Sequence, residues 1–411
     1  MKIGVKFWNT KNYGDEMMVA SFVRNYCIVT KSKKEPEFHL ISNLKLKRED
    51  YIRVSKFIPT KFQYIQVSIL SNHNASLLQK AMALISYPLR FSLTVLRNKY
   101  DAMLVSGGDV LSEYYGLLGL TLELMTIWLT SIITPTFILG SSIGPFKSWR
   151  VFLAKTALSK SKIYARDMLT YKYLIEQLNL PSVKKSADLA FLDIPNQDKE
   201  KDVLVNFELD KDRYITIVPS GLWMKYTDNY ETYINTWAKI IQEIQGKIPH
   251  TKIVLLAHVL HSPSVSDASI INQICEKLES VDSNRIKKIE RPILPHEARI
   301  ILGNGIFTIT GRMHAAISTF QMGKPAISLS YSVKYDGIIG KELGFPELVI
   351  KADTPKLWQS GEIVNLVLNK VDYVMGRYHI LKRKIQKHVE IQKKKALIQI
   401  EDIARILDEL Q

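Results

Sequence analysis

The sequence predicts an α/β protein made of two runs of βα units with parallel sheets. Three observations carry that prediction. Short apolar runs alternate with helical periods along most of the chain, the pattern of strands joined by crossover helices. The alternation pauses and restarts around residues 193–213, a stretch rich in Asp, Lys and Asn that holds Pro195 and reads as a linker. The length, 411 residues at 46% hydrophobic composition, exceeds one average domain and can supply two cores of ordinary size.

The elements follow in order. MKIGVKFW reads as a first strand, residues 3–7. It lacks the long apolar core and small-residue cleavage site of a signal peptide, so the cytoplasm is the expected location. Further strands are expected at residues 38–42, 102–106, 136–140, 162–165 and 183–186. The second run places them at 214–219, 252–257, 286–289, 305–310 and 326–329. Helical periods fill the gaps, among them 229–245, 270–278 and 313–322. The expected domains are residues 1–195 and 196–375, followed by a basic helical tail at 376–411. That tail fits either a return to the first domain or a surface helix.

Composition narrows the function. Lys and Arg outnumber Asp and Glu by 56 to 40, a net charge of +16. Such an excess points to an anionic partner: nucleic acid, an anionic lipid surface or a phosphorylated small substrate. No zinc finger, heptad-linked basic region or RNP signature occurs, which argues against nucleic acid. Cys27 and Cys275 stand far apart in apolar, helical contexts and read as buried free thiols of a reducing compartment. With no CxxC and no Cys/His spacing for a metal, no metal site is expected.

Two segments bear on membranes. Residues 76–99, SLLQKAMALISYPLRFSLTVLRNK, mix apolar residues with Lys80, Arg90, Arg97 and Lys99 and contain no acid. They suit a helix lying in an anionic interface as well as they suit ordinary packing, with Pro88 kinking or splitting it. Residues 117–133, LLGLTLELMTIWLTSII, include Glu123, are marginal for spanning, and read as a buried crossover helix.

The chemistry-bearing residues cluster at strand ends. In NTKNYGDEMM, Asn12 and Gly14 suit a tight turn after the first strand. Asp15 can cap a helix over residues 16–26 or take a proton from a hydroxyl. In VSGGDVLSEYYG, Gly107 and Gly108 let the backbone pass close to a ligand or another strand, with Asp109 at the same edge. ILGSSIGPFKSW offers Ser141 and Ser142 as donors to an anion. YARD ends a strand in Arg166, a planar clamp for phosphate or carboxylate, or a partner for Asp167 or Asp188. Asp188, in SADLAF, reads as serving its turn. GRMH delivers Arg312 and His314 to a strand end at the start of a helix, where an anion is favoured. SYSVKYDG places Tyr331 and Lys334 after the neighbouring strand.

Taken in order from about residue 1 to about residue 345, NYGDEMM, the SGG loop, GSSIGP, YARD, SADLAF and GRMHAAISTFQMGKPAISLSYSVKYDG resemble the polysaccharide pyruvyl transferase family. The resemblance implies two Rossmann-like domains of the GT-B kind with the active site in an interdomain cleft. It implies transfer of the enolpyruvyl group of phosphoenolpyruvate onto a sugar as a pyruvate ketal, with release of phosphate. The implied acceptor is a cell-surface glycan, capsule or exopolysaccharide, or its lipid-linked precursor such as a polyprenyl-diphosphate sugar. On that reading His314 is the general acid and Asp15 the base. Arg312, Arg166 and Lys334 hold the donor's two anionic groups. Asn12, Gly107, Gly108, Asp109, Ser141, Ser142 and Tyr331 line the substrate. The scheme uses phosphoenolpyruvate as a substrate and calls for no cofactor or metal. A lipid-linked acceptor would place the protein at the inner face of the membrane, docked through residues 76–99. Two alternatives stand beside it. One is a GT-B-type glycosyltransferase holding a nucleotide sugar's diphosphate in the same cation cluster. The other is a peripheral membrane scaffold that has lost catalysis, against which the presence of Asp15, Arg166, Arg312, His314 and Lys334 together counts.

Overall fold

The protein is described here as a computed structural model covering residues 1–7, 9–30, 36–68, 76–113, 116–262, 265–278 and 281–410; for residues 77, 78 and 80 this extends to the backbone only. The expected docking role of Lys80 and part of the loop after Asp109 therefore lie outside the described residues. The chain divides into two compact units, each an α/β unit around a parallel sheet. The first comprises Met1–Thr10, Met18–Pro195 and Gln392–Gln411; the second comprises Lys11–Met17 and Asn196–Ile391.

The strands of the first unit are β1 (Lys2–Lys6), β2 (Glu37–Ser42), β3 (Phe62–Gln66), β4 (Ala102–Val105), β5 (Thr136–Ser141), β6 (Lys162–Ala165) and β7 (Val183–Lys185). They lie in the order β3-β2-β1-β4-β5-β6-β7, all parallel. The order follows from right-handed crossovers leaving β1 in one direction and returning past it in the other. Its helices are α1 (Tyr13–Val29), α2 (Arg48–Ser55), α3 (Leu77–Ile85), α4 (Tyr87–Asn98), α5 (Leu117–Ile133), α6 (Trp149–Leu158) and α7 (Met168–Lys172). Central strands such as β4 and β5 are buried on both faces, which is why they read as unbroken apolar runs. Pro88 sits in the first turn of α4, and the segment predicted to kink or split is two helices. The apolar helix predicted as a buried crossover is α5. It does cross from β4 to β5, but only one side is buried: Leu120, Leu124 and Ile127 pack inward while Leu117, Leu118, Trp128 and Ile132 are exposed. Its Glu123 is paired with Lys6 of β1. Among the described residues no helix is long and apolar enough to cross a membrane.

The second unit contains α8 (Glu200–Asn206), β8 (Tyr214–Val218), α9 (Tyr230–Lys247), β9 (Lys252–Leu256), α10 (Asp267–Glu276), β10 (Ile286–Ile289), α11 (Pro295–Asn304), β11 (Thr308–Thr310), α12 (Met313–Gln321), β12 (Ala326–Ser330), α13 (Val333–Tyr335), β13 (Val349–Lys351), α14 (Pro355–Gln359) and α15 (Glu362–Gly376). Its sheet runs β10-β9-β8-β11-β12-β13, again parallel throughout. Helix starts carry the expected punctuation. The Asn229 side chain accepts from the Thr232 amide at the head of α9, and Pro295 opens α11. The expected linker at residues 193–213 contains the short helix α8.

The basic tail is a single helix, α16 (Tyr378–Glu409). Its last part, from Gln392, belongs to the first unit. There Gln399 accepts from the Gly140 amide at 3.1 Å and donates to the Ala187 carbonyl at 3.1 Å. Asp402 accepts from the Tyr164 hydroxyl at 2.6 Å and from Lys184 at 2.7 Å. Among the described residues Cys27 and Cys275 form no disulfide, and both are half-buried rather than buried.

Candidate functional site

Candidate residues gather at the strand ends of each unit. In the second unit β11 ends at Thr310, and its hydroxyl accepts from the Arg312 amide at 2.8 Å, turning the chain into α12. Arg312 is not a loose cation. Its Nε and Nη2 reach Asp267 at 3.0 and 2.6 Å, and Nη2 also donates to the Val265 carbonyl at 2.9 Å. Burial alone would lower the guanidinium's pKa, but the charge and hydrogen bonds of Asp267 outweigh it and hold it above its ordinary value.

His314 stands in the first turn of α12. Its imidazole lies against Gly14: a Cβ built there would fall 2.4 Å from Nδ1 and 2.6 Å from Cγ. The NYGD glycine therefore admits the histidine ring, and any side chain at that position would displace it. Residues Lys11–Met17 reach this place because they extend the loop after β9. The Leu260 amide donates to the Lys11 carbonyl at 2.7 Å, the Tyr13 amide donates to the His258 carbonyl at 3.2 Å, and Asn12 bridges to Val259. Asp15 does not cap the helix as one reading of the sequence had it. The helix begins at Tyr13, and Asn12 holds the cap place, accepting from the Gly14 amide at 3.2 Å. The Asn12 side-chain amide in turn donates to Asp15 Oδ2 at 3.0 Å, fixing a buried carboxylate in the first turn.

The loop after β12 is tied to the loop after β11. The Tyr335 and Tyr226 hydroxyls donate to the Gly311 carbonyl at 2.7 and 2.8 Å. Lys334 Nζ donates to the Tyr331 hydroxyl at 2.9 Å, and the Tyr331 ring packs edge-on against Tyr226 and Tyr335. Asn12, Asp15, Arg312, His314, Tyr331 and Lys334 thus belong to one side of one sheet, on loops tied to one another.

Two residues of this cluster were missed in the sequence. Asp267 is a fully buried hub. Besides Arg312 it accepts from the amides of Gly221 at 2.7 Å, His258 at 3.1 Å and Val259 at 2.9 Å, joining the loops after β8, β9 and β11. His258, directly beyond the apolar run that forms β9, is buried, with the Tyr13 ring edge-on at 5.4 Å. Its Nε2 is enclosed with no hydrogen-bond partner among the described residues. Burial first, then the electrostatic influence of the neighbouring His314, Arg312 and Arg299, holds its pKa well below the ordinary histidine range, so the ring is neutral. The signal for His258 was its place at a strand end. For Asp267 there was none, because a lone aspartate before a helix reads as a cap.

In the first unit the candidates form an internal network. A Cβ on Gly107 would stand 2.7 and 2.8 Å from the carbonyls of Leu139 and Gly140, so the paired glycines serve close backbone packing of β4 on β5. Gly108 has φ +127° and bridges to Ser141, while its carbonyl accepts from the Ser142 amide at 2.8 Å. The carbonyl of Asp109 accepts from the Ser112 hydroxyl at 2.8 Å. Ser141 donates to the Leu139 carbonyl at 2.9 Å, and Ser142 donates to Asp167 at 2.6 Å. Arg166 is fully buried and paired with the equally buried Asp188 at 2.6 Å, and its Nε donates to the Ser142 hydroxyl at 2.9 Å. Nη2 is enclosed without a hydrogen-bond partner among the described residues. Asp188 also serves its turn, accepting from the Ala190 amide at 2.8 Å.

Comparison with known proteins bears on the family and the fold. The model of a family described as polysaccharide pyruvyl transferase matches residues 12–333. The chain is 23% identical over 310 residues to the amylovoran biosynthesis protein AmsJ of Erwinia amylovora, covering 71% of this chain and 69% of that protein. Among solved structures, the UDP-GlcNAc 2-epimerase of Neisseria meningitidis superposes with a TM-score of 0.64 at 13% identity, over 98% of this chain and 100% of the other. The corresponding enzyme of Methanocaldococcus jannaschii gives 0.58 at 14% identity, with full coverage of both chains. These likenesses show a shared GT-B-like fold of two parallel-sheet units and nothing about substrate.

Proposed function

The chain belongs to the polysaccharide pyruvyl transferase family, and on that footing we propose that it forms a pyruvate ketal on a sugar of a capsule or exopolysaccharide, using phosphoenolpyruvate as donor. The observation that carries the reading is His314 seated on Gly14, in the same unit as Asp15, Arg312 and Lys334. The reaction needs a proton on the donor's methylene carbon, two sugar hydroxyls added to the neighbouring carbon, and phosphate expelled. Two hydroxyl protons are released: one balances the proton given to carbon and the other leaves with phosphate. His314 supplies the proton to carbon. Asp15, aimed by Asn12, takes the proton of the attacking hydroxyl. Arg312 and Lys334 hold the phosphate and carboxylate, Arg312 with its Nη1 edge because Asp267 and Val265 occupy the rest. Tyr331 sets the Lys334 ammonium in place. In the first unit Arg166 acts from within, fixing the Ser141–Ser142 loop through Ser142 and its pair with Asp188. A polyprenyl-diphosphate sugar is the proposed acceptor, with the protein peripheral at the inner face of the membrane.

The test is phosphate release from phosphoenolpyruvate with galactose-, mannose- and N-acetylmannosamine-containing acceptors, lipid-linked ones included. Release should depend on acceptor and vanish in His314→Ala. Calorimetry with phosphoenolpyruvate and with UDP-sugars runs in parallel. Binding of a UDP-sugar and not of phosphoenolpyruvate would overturn the proposal in favour of glycosyl transfer.

A further inference from the structure

The first unit carries a helical layer with two apolar sides. Helix α4 packs on α5 and α5 on α6. Tyr87, Phe91 and Val95 of α4 face the sheet, as do Leu120, Leu124 and Ile127 of α5. Ordinary surface helices are polar on the opposite side. Here that side of α4 carries exposed Leu89, Leu93 and Leu96 at helical spacing. On α5 it carries Trp128 and Ile132, and on α6 it carries Trp149 at 59% exposure and Phe152 at 76%. Scattered exposed apolar residues mean little, but a contiguous set on adjacent helices marks an interaction site.

The charges identify the partner. Helices α4 to α6 hold one acidic residue, Glu123, and it is turned inward onto Lys6. Arg97, Lys99, Lys155, Lys160 and Lys162 are exposed at the C-terminal ends of α4 and α6, on one end of this layer. Where α5 ends, a cavity of about 370 Å³ is lined by Ile132 and Ile133 together with Lys160 and Lys162, an apolar wall beside two ammonium groups. A second copy of this face would set cations against cations. Apolar side chains, two tryptophans and unopposed lysines suit a bilayer interface with anionic headgroups.

We infer that the outer face of α4, α5 and α6 docks the protein on an anionic lipid bilayer, its apolar side chains entering the headgroup–acyl boundary and its lysines meeting lipid phosphates. This extends docking from the segment read in the sequence to a three-helix surface with Trp149 and Phe152 as anchors. It deepens the reading of a membrane-bound acceptor without requiring pyruvyl transfer.

The experiment is co-sedimentation of the full chain with vesicles of phosphatidylcholine alone or containing phosphatidylglycerol, at low and high salt, with tryptophan emission recorded. Neither donor nor acceptor is present, so the outcome is independent of the catalytic proposal. Binding should require phosphatidylglycerol, weaken with salt and shift tryptophan emission to the blue. Trp149→Glu/Phe152→Glu, and separately Leu89→Glu/Leu93→Glu, should each weaken binding by at least about tenfold while the circular dichroism spectrum and Tm stay unchanged. No binding to anionic vesicles would overturn the inference, as would binding that both folded variants retain. A dimer that the same variants dissociate would overturn it in favour of a protein partner.

Discussion

At the scale of the residue, the site depends on contacts between positions far apart in the chain. NYGD and GRMH are legible as motifs, but nothing in either explains why the first needs its glycine. The structure does: the His314 ring occupies the space where a Cβ at position 14 would be. Gly14→Ala should therefore displace the imidazole while leaving the helix intact, since alanine is the better helix former. A displaced catalytic group of this kind costs on the order of a hundredfold in turnover. Phosphate release by Gly14→Ala, compared with its Tm, tests this; full activity would remove His314 from the role proposed for it. The alternatives the sequence left open for Arg166 are decided by Asp188, whose carboxylate is as buried as the guanidinium it meets. Only tertiary structure could choose between Asp167 and Asp188 as partners. His258 had only its place at a strand end to mark it: an unremarkable AHV becomes notable once its ring is enclosed near Arg312 and Arg299.

At the scale of the element, the apolar runs made most strands legible, because central parallel strands are buried on both faces and cannot be polar. The two that were missed are edge strands. β3, FQYIQ, alternates polar residues along a half-covered edge, and β13 has three residues. Helix α5 shows the opposite limit. Its apolar composition read as burial, yet one side is exposed, and composition alone cannot tell a core from a docking face. Its single acid was legible as an obstacle to spanning but not as the partner of Lys6, which is buried between Tyr87 and Phe91. Burial pulls the lysine's pKa down and Glu123 pulls it back up. Breaking such a pair leaves a charge uncompensated in the core. Glu123→Ala should cost about 3–5 kcal/mol, whereas Lys6→Met with Glu123→Leu should come close to neutral. Urea unfolding of the two single variants and the double variant measures it. A single variant as stable as the parent would mean that the pair is reached by water.

At the scale of the whole molecule, the two units should answer acid differently. The second unit holds His258, His261 and His296, all with pKa values drawn below the usual 6.5, that of His296 to about 4. Burial is the leading cause in each case, followed by an electrostatic neighbour: His314 for His258, Arg312 for His261 and Lys199 for His296. The unfolded chain therefore binds more protons than the folded unit once the pH falls below 6.5. These histidines add stability that is fully present above that value and is lost as the pH falls toward 4. In the first unit the comparable group is Asp402 at the end of α16. Burial opposes its ionisation, but hydrogen bonds from Lys184, Tyr164 and Arg405 outweigh this and lower its pKa from 3.8 to about 2. Its contribution survives until the pH drops below 3.8 and disappears through 2, so the loss of stability begins at a higher pH in the second unit than in the first. Limited proteolysis across a pH series, with cleavage sites mapped by mass spectrometry, should show the second unit opening first, already near pH 5, and the first unit holding to lower pH. His258→Gln and His296→Gln should flatten the loss in the second unit, because glutamine has no proton to gain. Simultaneous opening of both units, or a second unit indifferent to pH between 7 and 5, would show that these imidazoles reach solvent and are not held neutral by the fold.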